Sequence, residues 1–388
     1  MSKSKIKLFA DAHCFDHEFQ GTRSFLRGLY TELIENQKFD ISFGCRNPGN
    51  LMAAIPKIDP EKIHTYKKGN TAWRLGYEIP RILNANRFDY AHFQYASPRR
   101  SGNTRYIVTL HDNLFDDFAG DFPFLYRQKR SAIFSRSIRK AHIRTTVSTY
   151  SQQRISSHYD IPEHSLHVVP NAASRSLGSL FKDKSEAAAF VESRYGVRDF
   201  LLCVSRIEPR KNQAALLNLY LKLELFKQNI PLVFVGHESI STPEFTRKLA
   251  TLSEDQNKCI RWIPQVDEQD LEALYRACRL FIYPSRAEGF GIPPLEAAIC
   301  GAPVLCSNVT AMKAFDFFEP FLFNPADELQ FASKLRSLLE SAPQITRLSG
   351  IAKAVHEAYS WEKSAGLFSA IIINEFNMTK TNPSLVPA

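Results

Sequence analysis

Two doubly wound α/β domains in one chain are predicted by three observations. Short apolar runs that suit buried strands alternate with helix-period segments, which implies parallel sheets covered on both faces. The alternation restarts at Phe200, after a polar stretch from Ala173 to Arg198. A length of 388 residues with 44% hydrophobic content is enough to fill two cores. The boundaries read from these changes are 1–173 for the first domain, 174–198 for a connection with one short helix, 199–360 for the second domain and 361–388 for a last helix and tail.

The first domain opens with a strand over Lys5 to Ala12. HCFDHEFQGTRSF is then a loop leading into a helix with Phe25, Leu26, Leu29, Tyr30 and Leu33 on one face, and Gly21 stands at its start. Further strands are expected at Ile41–Gly44, Phe88–Gln94 and Tyr106–Leu110, with a helix between Thr71 and Asn86. The strand YIVTL runs into His111 at the carboxyl end of the strand, where ligands of such sheets bind, although a satisfied loop histidine explains the residue as well. Residues Phe124 to His142 form a basic amphipathic helix. Leu125, Ile133, Phe134 and Ile138 are expected inward, and Arg127, Lys129, Arg130, Arg136, Arg139 and Lys140 outward. Strand Thr145–Ser148, a helix through Ser157 and LHVVPNA close the domain near Asn171.

The second domain begins with a strand over Phe200–Val204, and Arg206 and Lys211 follow where two cations could neutralise a diphosphate. Strands are expected at Pro231–Gly236 and Arg261–Pro264, and Asp267 should cap a helix carrying Leu271, Leu274, Tyr275 and Cys278. The stretch from Arg279 to Asn308 then reads strand, loop, helix, strand. Leu280–Tyr283 is the strand, Ser285–Ile292 the loop, and Pro293 and Pro294 suit the first helical turn before Gly301 ends it. A glycine-bearing loop feeding a helix N-terminus is a ready site for an anion or for hydroxyls, with Gly289 and Gly291 allowing close approach. Glu288 and Glu296 flank it eight residues apart, although a plain strand-to-helix turn with a solvated glutamate explains the same pattern. Phe321–Asp327 is a strand end, Leu329–Leu339 an amphipathic helix, and Trp361 starts a last helix with Leu367, Ile371 and Ile372 before a frayed MTKTNPSLVPA tail.

Charge divides the chain. Through Arg175 there are 26 Lys+Arg against 16 Asp+Glu, and beyond it 23 against 24, so the net charge of +9 comes from the first half. That half suits an acidic partner, an acceptor phosphate or an anionic membrane surface, although a solvated helix face is the default explanation of the same charges. No nucleic-acid module or aromatic RNA platform accompanies it, so nucleic acid is not an expected partner. The seven cysteines form no CxxC pair and read as reduced core residues, and neither a His/Asp metal-ligand cluster nor a DxD triplet is seen. The apolar start is too short for a secretion signal and no run is long enough to span a bilayer, so a cytoplasmic protein, peripheral at the inner membrane face at most, is expected.

EGFGIPPLEA followed by CGAPVLCSN resembles the hallmark of glycosyltransferase family 4, the retaining GT-B enzymes. The strand-ending His111-Asp112, VVPNA with Ala172 where the family has glycine, and the pair Arg206 and Lys211 are similar to further family motifs in the same order. The resemblance implies two Rossmann-like domains facing across a cleft, the first on the acceptor side and the second binding the donor nucleotide, with the last helix returning toward the first. It implies a nucleotide diphosphate sugar as donor, GDP-mannose by similarity to bacterial mannosyltransferases of surface polysaccharide assembly or else a UDP-sugar, and a glycan or lipid-linked glycan as acceptor. By carry-over, Glu288 and His111 are the catalytic residues. Gly21, Arg206, Lys211, Glu288, Gly289, Phe290, Gly291, Ile292, Leu295 and Glu296 would bind the donor without a metal. A glycosidase could use the same carboxylate pair but has no need of Arg206 and Lys211. A nucleotide-sugar binding protein without turnover and a GT-B epimerase share the remaining features.

Overall fold

The computed structural model describes residues 5–16, 21–99, 102–174, 177–341 and 345–381. It divides into two compact units, Met1–Ala172 with Ser360–Ala388, and Ala173–Tyr359.

In the first unit the strands are β1 (Ile6–Asp11), β2 (Phe39–Cys45), β3 (Ile63–Thr65), β4 (Tyr90–Gln94), β5 (Arg105–Thr109), β6 (Ile143–Thr146) and β7 (Leu166–Val168). They form one parallel sheet in the order β3-β2-β1-β4-β5-β6-β7. Near-continuous burial along β1, β2, β4 and β5 follows from coverage on both faces. Helix α1 (Gly21–Leu33) buries the five residues its spacing predicts: Phe25, Leu26, Leu29, Tyr30 and Leu33. The loop before it falls at 17–20, outside the described residues. The helix expected between Thr71 and Asn86 is present but interrupted: Thr71–Trp73, a π-helical turn at Arg74–Glu78, then Ile79–Asn86.

Helix α2 (Phe124–Lys140) departs from its expected facing. Leu125 is 79% exposed, because burial starts only further along, at Phe134, Ser137 and Ile138. Two of its expected outward cations are tied to backbone, Arg136 to the Ser97 carbonyl at 2.9 Å and Arg139 to that of Tyr159 at 2.7 Å. Strand β6 starts and ends two residues before the expected Thr145–Ser148, because Ser148 is already the cap of helix α3 (Thr149–Tyr159), accepting from the Ser151 amide.

The second unit holds β8 (Leu201–Val204), β9 (Leu232–Val235), β10 (Ile260–Ile263), β11 (Leu280–Tyr283), β12 (Val304–Ser307) and β13 (Leu322–Phe323) in a parallel sheet ordered β10-β9-β8-β11-β12-β13. The segment expected as a connection belongs to this unit. Its helix α4 (Lys184–Tyr195) is bound to helix α5 (Glu268–Ala277) by Arg194 and the Tyr195 hydroxyl on Asp270. Asp267 caps α5 as its sequence predicts, accepting from the Asp270 amide at 2.8 Å. Helices α6 (Ile292–Ile299), α7 (Glu328–Glu340) and α8 (Ile345–Ala358) belong to the same unit, which also holds the helices Gln213–Lys222, Pro243–Ala250 and Glu254–Lys258.

The last helix, α9 (Trp361–Thr381), packs within the first unit against α1. It continues past Met378, where fraying was expected, and 382–388 lie outside the described residues. Its buried stripe is Trp361, Ser364, Ala365, Phe368, Ser369 and Ile372, and the expected Leu367 is 49% exposed. The serines take inner positions because their hydroxyls are satisfied: Ser364 donates to the Pro170 carbonyl at 2.7 Å and Ser369 accepts from Asn36 at 3.2 Å. No helix among the described residues is long and apolar enough to cross a membrane.

Candidate active site

Strand order in the second unit reverses between β8 and β11, and the loops leaving their carboxyl ends lie side by side there, where doubly wound sheets bind ligands. Backbone and side-chain bonds stitch the two loops together. The Arg286 amide donates to the Arg210 carbonyl at 2.7 Å, the Arg210 guanidinium to the Ala287 carbonyl at 3.0 Å, and Asn212 to the Pro284 carbonyl at 3.2 Å.

The stitching gathers three cations and two carboxylates. Lys211 donates to Glu288 Oε1 at 2.6 Å and to the Tyr283 hydroxyl at 3.1 Å, and Tyr283 donates to the same carboxylate oxygen at 2.8 Å. Arg210 bridges the two acids, with Nη1 3.3 Å from Glu288 Oε2 and Nε 2.9 Å from Glu208 Oε2. Glu208 Oε1 accepts from Ser239 at 2.6 Å and lies 3.1 Å from Arg206 Nη2. Glu208, Glu288 and Lys211 are buried, whereas the Arg206 side chain is 43% exposed. Burial opposes the charge of Glu288, yet Lys211 and Arg210 override it and hold the carboxyl down at about 2. Burial likewise works against Glu208, and Arg210 and Arg206 keep it below the ordinary carboxylate range. Lys211 is lowered by burial and by Arg210 beside it. The cluster thus sets three basic side chains against two acidic ones. The donors of these basic side chains suit the oxygens of a diphosphate as well as those of the carboxylates.

The glycine loop is fixed from its far side by the segment after β12. Thr310 sits in the left-handed region at φ 51°, a strained conformation for a β-branched residue, and its hydroxyl accepts from the Glu288 amide at 2.8 Å. Gly291 has φ 102°, and an added Cβ there would stand 2.9 Å from Met312 Cγ, so the protein's own packing demands this glycine. Phe290 and Leu295, expected on the donor, have buried side chains, Phe290 edge-on to Tyr359 and Leu295 fully enclosed, which leaves them only backbone to offer. Helix α6 starts at Ile292, and prolines at 293 and 294 remove two of the amides that its N-terminus would otherwise present.

Glu296 takes its hydrogen bond from the Tyr275 hydroxyl, 3.1 Å away, rather than from the cation cluster. With no cation beside it among the described residues, burial pushes its carboxyl up to about 7 against the opposing hydrogen bond from Tyr275. His111 and Gly21 belong to the first unit. His111 follows β5, buried, with Nε2 2.6 Å from Gln94 Oε1 and its ring edge-on to Phe25, and burial pushes it down to about 3. Gly21 begins α1, and an added Cβ would meet nothing within 4 Å.

Arg210 and Glu208 escaped the sequence reading, although EPRKN shows a third cation and an acid in the same loop. Tyr283 and Thr310 carried no local signal.

Residues 184–355 match the family model of glycosyl transferases group 1, and residues 20–176 match that of glycosyltransferase family 4. The chain belongs to these glycosyltransferases. It is 33% identical over 189 residues to the serotype-specific mannosyltransferase WbdA of Escherichia coli, a match covering 47% of this chain and 23% of WbdA. It is 31% identical over 232 residues to the O-antigen chain mannosyltransferase B of Escherichia coli, covering 58% of this chain and 59% of that protein. The chain thus matches less than two thirds of the length of each. Solved structures with the same fold include Anabaena Alr3699/HepE in complex with UDP-glucose (TM-score 0.73, 15% identity, 95% of this chain and 100% of that one). Sucrose-phosphate synthase from Thermosynechococcus elongatus is similar at a TM-score of 0.71, with 17% identity and 96% and 100% coverage. The expected GT-B class, two parallel-sheet Rossmann-like domains, is thereby found.

Proposed function

We propose that this glycosyltransferase moves a hexose, mannose in the first instance, from a nucleotide diphosphate sugar to a glycan or lipid-linked glycan with retention at the anomeric carbon. The observation that carries the reading is the charged cluster at the β8/β11 switch point, where Arg210 and Lys211 hold Glu288 and Arg206 pairs with the neighbouring Glu208. On binding, the donor diphosphate takes hydrogen bonds from Arg206, Arg210, Lys211 and the amides near Gly289, which offset the charge of the leaving group without a metal ion. Glu288, anionic and fixed by two cations and Tyr283, stabilises positive charge developing at the anomeric carbon. Glu296 accepts the ribose hydroxyls, and His111 faces the donor sugar. In a same-face displacement the bond from the anomeric carbon to the diphosphate oxygen breaks as the acceptor oxygen bonds to that carbon. The departing diphosphate takes the acceptor hydroxyl's proton.

Mannose as the donor sugar is favoured by the two mannosyltransferase relatives. A UDP-sugar is the second reading, favoured by the likeness to HepE, which was solved with UDP-glucose. A thermal-stability panel of nucleotides separates them. Ligand at about 100 times Kd adds roughly 2.7 kcal/mol of apparent stability. Stabilisation by GDP and GDP-mannose is expected, and stabilisation by UDP alone overturns the mannose donor.

The acceptor side is the basic first half, and peripheral contact with an anionic membrane is part of the reading. Lys129, Arg130 and Lys140 remain exposed on α2, beside exposed Phe124, Leu125 and Tyr126. Flotation with anionic vesicles should be strong at low salt and weaken as salt screens the charge. Equal binding to neutral vesicles removes the electrostatic contact.

A further inference from the structure

A buried hydrogen-bonded chain lies under the switch point of the first sheet, and the reaction scheme above uses only its end. Parallel register sets Gln94 of β4, Thr109 of β5 and Thr145 of β6 in one row, and His92 shares the Gln94 face two residues earlier. Thr145 and Thr109 hydroxyl oxygens are 2.6 Å apart. Thr109 is 2.7 Å from His92 Nε2, and Gln94 Nε2 is 3.0 Å from the same nitrogen. Gln94 Oε1 reaches His111 Nε2 at 2.6 Å, and His92 Nδ1 meets the Tyr30 hydroxyl of α1 at 2.9 Å.

Both rings are neutral. Burial pushes His111 down to about 3, and burial with His111 alongside does the same to His92. The other ionisable groups facing them are Tyr30 from α1 and Asp11 at the end of β1, whose charge acts on His92 without restoring its proton. A neutral imidazole has one N–H and one lone pair, whereas an amide has a donor end and an acceptor end. Gln94 stands between two Nε2 atoms. With the amide oriented as it stands and Thr109 donating to His92, the nitrogen facing its NH2 is bare and the one facing its carbonyl carries hydrogen.

We propose that Gln94 is a positioning residue that forces His92 and His111 into opposite tautomers, Nδ1–H on His92 and Nε2–H on His111, leaving His111 Nδ1 as an acceptor for a hydroxyl of the donor sugar. Among the described residues His111 Nδ1 takes no hydrogen bond from the protein. Phe25 at 4.9 Å and Tyr95 at 5.3 Å between ring centroids fix the plane in which it points. The acceptor role of His111 Nδ1 rests on the reading that His111 faces the donor sugar; the tautomer pair does not.

Nitrogen-15 imidazole spectra of the full chain test it, with His92→Gln and His111→Asn assigning the two rings. Between pH 5 and 8 both should stay neutral, His111 as Nε2–H and His92 as Nδ1–H. The same tautomer on both, the reverse pair, or a His111 that titrates near 6.5 overturns the proposal. Gln94→Glu keeps the acceptor but loses the donor, and its charge stabilises a His111 imidazolium. His111 should then begin to titrate within this range, and transfer should fall at least about 10-fold from pH 8 to pH 6 as its lone pair is lost. Gln94→Met, with neither donor nor acceptor, should lower kcat about 10- to 100-fold with the donor KM nearly constant and no new pH dependence. A Gln94→Glu enzyme with the parent pH profile and an unshifted His111 refutes the positioning role. Normal transfer by His111→Asn, with the opposite tautomers present in the parent chain, refutes instead the reading that His111 acts on the sugar.

Discussion

At the scale of single residues, two glutamates eight positions apart are set to opposite ionisation behaviour by their neighbours. Glu288 has Lys211 and Arg210 and is anionic at any working pH; Glu296 has a tyrosine and titrates near 7. Removing the charge of Glu288 with Glu288→Gln should lower transfer by at least about 100-fold, the scale of a lost electrostatic stabiliser. Affinity for free nucleoside diphosphate should hold or rise, since Lys211 and Arg210 are released. Arg210→Met should do the converse and weaken diphosphate binding by about 1.5–3 kcal/mol in calorimetry; an unchanged affinity excludes Arg210 from the donor site. Ribose hydroxyls donating to Glu296 would favour its charged form, so binding near pH 6.5 should release a proton. Calorimetry in buffers of different ionisation enthalpy measures that release, and buffer-independent heats argue against a ribose contact. The same shift has a consequence for stability. Glu296 binds its proton more tightly folded than unfolded, so its contribution is complete below about 4.5 and is lost as pH rises through about 7, on the order of 3 kcal/mol in all. Glu296→Gln should therefore raise the melting temperature at pH 8 more than at pH 4.5.

Among elements, the glycines mark which constraints are internal and which await a ligand. Gly291→Ala meets both a positive φ and Met312, and should destabilise the second unit by about 1–3 kcal/mol. Gly21→Ala meets open space at the start of α1 and should leave the melting temperature nearly unchanged. Weaker donor binding by Gly21→Ala would then mark a ligand's approach, whereas a large loss of stability would show an internal role. Sequence reading is strongest where an element's pattern is decided by its own residues. The apolar face of α1, the Asp267 cap and the strand-loop-helix around Glu288 are of this kind. It fails where the partner comes from elsewhere. Arg210 meets Glu288 across 78 residues because β8 and β11 are neighbours, a fact of topology rather than spacing. Ser364 and Ser369 displace Leu367 from the buried stripe of α9 because their hydroxyl partners, Pro170 and Asn36, lie on other segments.

For the whole molecule, the chain leaves its first unit at Ala172 and re-enters it at Ser360. The closing helix is part of that core. Gly28 of α1 is so close to Trp361 that an added Cβ would lie 2.1 Å from the indole, and Phe368 and Ile372 are fully buried. Ending the chain after Tyr359 removes three large buried side chains, each worth about 2–5 kcal/mol, against a total stability of about 5–15 kcal/mol. Hydrogen exchange should show 5–172 unprotected while 173–359 keeps its slow core, and protection in both parts would mean that α9 is dispensable. Donor cleavage at the Glu288 cluster with retention can be measured without knowing the acceptor. Slow hydrolysis of GDP-α-mannose by the enzyme, followed by proton NMR before mutarotation, should release α-mannose first and should be abolished in Lys211→Met and in Glu288→Gln. Release of β-mannose, or the same rate from both variants as from the parent chain, contradicts it.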